Sequence, residues 1–127
     1  MELKLAIKES KQLLEYKTIN ATNLSEILSA TIRSPTAELK HPNIPGVVLL
    51  YHERMPGEPK NENFSIRNYF SNGQSKPIYG TAVFVQVDGL NKVVPMTEAT
   101  FEKLQKSIKS YEISITKEYI NGGVKIW

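Results

Sequence analysis

The chain has 127 residues, no cysteine, 40% hydrophobic and 23% charged residues, proportions of one ordinary folded domain and not of a disordered or low-complexity segment. Without cysteine there is no disulfide framework, thiolate chemistry or cysteine-built zinc site, which fits a reducing, cytoplasmic setting. A net charge of +3 and a pI near 9.1 lean toward anionic partners. The 16 basic residues never form a run of five, so a slightly basic solvated surface accounts for the charge and nucleic acid is not singled out.

The start "MELKLAIKESK" lacks the apolar core of a secretory leader. The triplets Asn20-Ala21-Thr22, Asn23-Leu24-Ser25 and Asn63-Phe64-Ser65 therefore carry no expectation of glycosylation. No window approaches 18 uncharged apolar residues, so no membrane span is expected. Leu3, Ile7, Leu14 and, less regularly, Leu13 fall near one face of a helix, and the spacing predicts an amphipathic helix from about residue 3 to 16. Asn23 stands where a cap would, with Glu26 three residues on, and Leu24, Ile27, Leu28 and Ile32 keep helical spacing until Ser34-Pro35 stops it. These two helices form an N-terminal arm over residues 1–34.

The texture changes from Leu39. "KHPNIPG" precedes "VVLLYHE", a run of strand length and composition. "RMPGEPKNEN", Arg54 to Asn63, is a long polar loop expected to be exposed. In "PIYGTAVFVQV", Tyr79, Thr81, Val83, Val85 and Val87 share one face and Ile78, Ala82, Phe84 and Gln86 the other, which predicts one central strand. Asp88-Gly89 signals a hairpin that returns through "NKVVPM". Thr97 caps a helix of about ten residues with Phe101, Leu104 and Ile108 as its buried stripe, and Met96 with Phe101 matches a hydrophobic staple. "YEISITKEYINGGVKIW" alternates and turns at Asn121-Gly122-Gly123 into a last strand closed by Trp127. The fold class expected is α+β: a single domain whose helical arm precedes a mainly antiparallel sheet or small sandwich, residues 44–127, with one added helix.

Catalytic signatures are missing. His41 and His52 stand eleven apart with no metal-ligand spacing, and His52-Glu53 at a strand end reads first as surface. There is no nucleophile elbow, and "NGQSKP" lacks the glycines and Gly-Lys ending of a phosphate loop. Carboxylate pairs such as Glu53 with Glu58, or Glu58 with Glu62, fall in or beside a loop and read as solvated charge. No cofactor or metal is called for.

Binding chemistry has more to rest on. A nucleotide-like ligand needs a stacking surface for its base and fixed cationic donors for its phosphates. "SIRNYFSNGQSKPIYG" supplies Arg67, Tyr69, Phe70 and Tyr79, although Ile66 and Phe70 facing the core with Arg67 and Tyr69 in water describes the same residues. "IRSPT" adds Arg33, with Thr36 beyond the proline, or else an arginine serving only the helix end. The helical arm, with its narrow apolar stripe, points to a homo-oligomer in which two subunits wall one pocket.

On "ATIRSPTAEL", "IRNYF" and the order of elements, most of the chain resembles the phage Thoeris anti-defence sponges. The resemblance implies N-terminal anchoring helices before a β-sandwich. It also implies sequestration of a cyclic ADP-ribose isomer without cleavage; Arg33, Thr36, Arg67 and Phe70 are the ligand contacts expected from their own chemistry, not carried over from the family's contacts. "PIYGTAVFVQVDGLNKVVPMTEATFEKL" is also similar to small proteins of phages and plasmids, and the Lys, Asn, Ile and Glu bias fits an AT-rich genome. The competing expectation is a phage inhibitor that blocks a host or defence protein through its sheet edge or helical arm.

Overall fold

The computed structural model describes residues 2–21, 23–32, 35–41, 44–66, 70–109 and 124–125. The chain opens with a strand, β1 (Glu2–Lys8), paired with β2 (Glu15–Asn20). Then come helix α1 (Leu24–Thr31) and strands β3 (Thr36–Lys40), β4 (Val47–His52), β5 (Glu62–Ile66), β6 (Lys76–Tyr79), β7 (Ala82–Val87) and β8 (Val93–Val94). Helix α2 (Glu98–Lys109) and strand β9 (Val124–Lys125) follow.

Two sheets result. The larger has the order β2-β1-β7-β4-β3, with β8 also paired to β7, and every pairing in it is antiparallel. The smaller has the order β6-β5-β9, with β9 parallel to β5. Alternation along the central strands fills two cores. Val47, Leu49 and Tyr51 of β4, with Ala82 and Phe84 of β7, meet Phe64, Ile66 and Ile78 of the small sheet and Met96 and Leu104 of the α2 segment. The rings of Phe64 and Phe84 stack at 6.1 Å across that interface. Val48, Leu50, Val83 and Val85 point the other way, onto Leu3, Leu5 and Ile27. The large sheet is thus the middle layer, with α1 on one face and the small sheet and α2 on the other.

The N-terminal helix and the helical arm expected from the sequence are overturned. Leu3 and Leu5 are buried on the α1 face with Ile7 packed beside them, while Ala6 and Lys8 are buried on the opposite face. That is the period of two of a strand sealed on both sides. Residues 1–34 supply β1, which lies between β2 and β7 inside the sheet, so the premise for an assembling arm falls with it.

α1 does form under its Asn23 cap, whose side-chain oxygen accepts from Glu26 N at 2.9 Å. α2 starts as expected, with Thr97 Oγ1 accepting from Thr100 N at 3.1 Å. Met96 lies in the core, with Phe101 packed against it. β8 returns beside β7 through a turn in which Asp88 Oδ1 accepts from Leu90 N and Lys92 N. Those backbone donors hold the Asp88 carboxyl below its usual range. The C-terminal hairpin lies outside the described residues apart from β9.

The expected single strand over "PIYGTAVFVQV" is two strands in two sheets, broken at Gly80. There φ is +72°, a left-handed conformation that glycine adopts freely. Gly80 N donates to Asn61 O at 2.8 Å, and Gly80 O accepts from Asn63 Nδ2 at 2.8 Å. No atom lies within 4 Å of where a Cβ would stand, so a substitution meets only backbone strain. Gly80→Ala is expected to cost about 1 kcal/mol in a urea titration; no loss at all would mean the corner relaxes to negative φ.

Candidate functional site

Where β4 ends and β7 begins, with Tyr51 opposite Ala82, the chain makes a cleft of about 390 Å³. It is lined by the end of α1 (Thr31, Ile32), by His52, by the loop residues Arg54, Glu58, Pro59 and Asn61, and by the Tyr79–Thr81 corner. His52 follows Val48 and Leu50 on the α1 face of β4, which is why the end of α1 walls the cleft. A smaller depression of about 140 Å³ shares His52, Arg54 and Tyr79 with it and adds Tyr51, Glu53, Phe70, Lys76 and Pro77.

The shared wall is built by the loop after β4. Met55-Pro56-Gly57-Glu58 is a turn closed by Glu58 N donating to Met55 O at 3.1 Å, with Gly57 at φ +89°. Proline followed by a glycine of positive φ is the type II pattern. The turn brings Glu58 back over the strand end. Both its carboxylate oxygens lie 3.0 and 3.1 Å from His52 Nε2, and Oε1 accepts from Met55 N at 2.9 Å. Arg54 donates from Nε and Nη2 to Glu58 O at 3.0 and 2.7 Å. Its guanidinium also lies over the Tyr79 ring, 5.5 Å from the centroid, an arrangement in which a planar cation and an aromatic face support each other. In the smaller depression Lys76 pairs with Glu53 at 3.3 Å and lies 5.6 Å from the centre of the Tyr51 ring.

Of the residues the sequence put forward, Tyr79 lines both depressions and Phe70 lines the smaller, where it is 45% exposed. Phe70 facing the core is therefore corrected, whereas Ile66 is buried. Thr36 lies opposite His52 in the β3–β4 ladder, on the same face of the sheet. Arg33, Arg67 and Tyr69 lie outside the described residues.

The carboxylates, expected as solvated pairs, go to different surroundings. Glu53 meets Lys76 and Glu58 meets His52. Burial raises the carboxyl of Glu62, with Lys60 opposing. Among the other lining residues, His52 reads in the sequence as a surface residue and Glu58 as solvated charge, while Arg54 and Asn61 stand there only as parts of an exposed loop. The Pro-Gly dipeptide two residues after Arg54 was the available signal that this loop folds back on the strand.

Among the described residues no group of His, Asp and Glu side chains could hold a metal ion, and no helix is long and apolar enough to cross a membrane. No protein-family model, curated protein or solved structure matches the chain.

Proposed function

We propose that the protein binds a small nucleotide-like anion across this cleft, holds it without cleaving it, and so sequesters a signal of the cyclic ADP-ribose class. The observation that carries the reading is the Arg54 guanidinium lying on the Tyr79 ring as a common wall between two depressions. A nucleotide with two lobes needs such a divider: a flat surface for the base and planar donors for the phosphates. The larger depression alone reaches the ~300–1,000 Å³ typical of small-ligand sites. The resemblance to the Thoeris sponges supports the ligand class, although not through the helical arm, which the fold replaces with a hairpin.

Calorimetry with cyclic ADP-ribose isomers, linear ADP-ribose and cyclic dinucleotides tests the proposal. One of these is expected to bind and to be recovered intact after heat denaturation. Arg54→Ala and Tyr79→Ala should each weaken binding about tenfold or more, in line with alanine replacement of stacking partners, with the melting temperature following both variants. Altered ligand points to an enzyme, and silence across the panel removes the reading.

A further inference from the structure

The carboxylate of Glu58 sits in the cleft as a bound anion would. Both oxygens face His52 Nε2, at 3.0 and 3.1 Å, and one also takes Met55 N at 2.9 Å. A carboxylate only accepts, so the imidazole nitrogen and the main-chain N–H are both donors to it. The Arg54 guanidinium grips the main-chain carbonyl of the same residue at 2.7 Å. An imidazole N–H, a backbone N–H and an adjacent guanidinium are the groups that receive a phosphate oxygen.

From this arrangement we infer that Glu58 is a built-in occupant of the phosphate seat of the cleft, displaced when the ligand's diphosphate enters. The inference rests on the reading that the cleft takes a nucleotide anion, and it names which groups meet the phosphate. A carboxylate fixed in place would repel such a ligand. Glu58 is instead carried on the turn of the loop between β4 and β5, and its side chain is 21% exposed. A partly exposed side-chain contact holds weakly, so a more highly charged diphosphate can take its place while the carboxylate turns to water.

The test titrates inorganic pyrophosphate into the whole protein and follows the imidazole NMR signals of His52, with the buried His41 as the internal reference for an intact fold. In Glu58→Ala the His52 signals should move saturably at about tenfold lower pyrophosphate than in the unaltered protein, because a tethered competitor has gone. Glu58→Gln, whose amide oxygen can keep the contact with Met55 N, should gain in the same direction if alanine disturbs the turn. Equal response in all three proteins, or no response in either variant with His41 unchanged, overturns the inference. A gain for pyrophosphate while every nucleotide is silent in calorimetry would keep the seat and remove the nucleotide. Nucleotide binding without any gain would do the reverse.

Discussion

Asn63→Leu is expected to destabilise the protein by about 3–5 kcal/mol, because it orphans several buried polar groups at once. Asn63 is fully buried where the two sheets meet. Its Nδ2 donates to Lys8 O at 2.6 Å and to Gly80 O at 2.8 Å, and its Oδ1 accepts from Lys8 Nζ at 3.0 Å. Leucine matches the volume and satisfies none of the three. Lys8 is left with Glu9 O, 3.1 Å from its Nζ, which is little for an ammonium sealed at 1% exposure.

Lys8→Met should cost less, since it removes the costly charge and leaves Asn63 holding both carbonyls. Burial lowers the Lys8 amine to about 8 from 10.5. The unfolded chain therefore keeps a proton that the folded protein has released between those values, and stability gains from this group as pH rises through that window. Lys8→Met should erase that gain. Urea titrations of the two variants across pH measure both effects. An Asn63→Leu protein within about 1 kcal/mol of the parent would mean that water or rearrangement serves the orphaned groups.

The second large effect is acid sensitivity through His41. This residue closes the bend between β3 and β4, 6% exposed, with its Nδ1 accepting from Ile44 N at 3.1 Å. An accepting Nδ1 requires the neutral ring with its proton on Nε2. Desolvation lowers its pKa to about 4 from 6.5. As pH falls through that interval the unfolded chain takes up a proton that the folded protein refuses. Stability should drop by about 3 kcal/mol between pH 6.5 and 4 from this ring alone. In His41→Asn the amide oxygen replaces Nδ1 as acceptor for Ile44 N, so the variant should keep the bend and lose this part of the acid limb. Parallel denaturant titrations at several pH values isolate it as the difference between the two proteins. Identical slopes would show that the folded state takes the proton without penalty.

What was legible in the sequence was local. The Asn23 and Thr97 caps each act through a hydrogen bond three residues away, so a short window contains both partners. The β4 run and the β7–β8 return are likewise read from neighbouring residues. β1 was misread because Glu, Leu, Lys and Ala are strong helix formers, and because Ala6 and Lys8, buried on the second face, blurred the alternation of Leu3, Leu5 and Ile7. What decides the matter is β7, which lies far along the chain and supplies the partner for Ala6 at Phe84. The same distance hid the site. Tyr79 could be nominated for its ring, but its partner Arg54 belongs to another loop, and no short-range pattern relates the two. His52 and Glu58 are close in sequence, yet only the type II turn between them makes six residues a contact distance. Loop carboxylates were dismissed by composition, and the geometry of the turn is what brings this one onto His52.

The position of β1 has a consequence for synthesis and refolding. β1 lies between β2 and β7, and its hydrogen bonds on the β7 side, such as those around Ala6 and Phe84, can form only after the long stretch between the two strands exists. Until then the β1–β2 hairpin presents an open, apolar-faced edge to its surroundings, and closing the sheet demands the joining of remote segments, which places this protein among the slower-folding topologies.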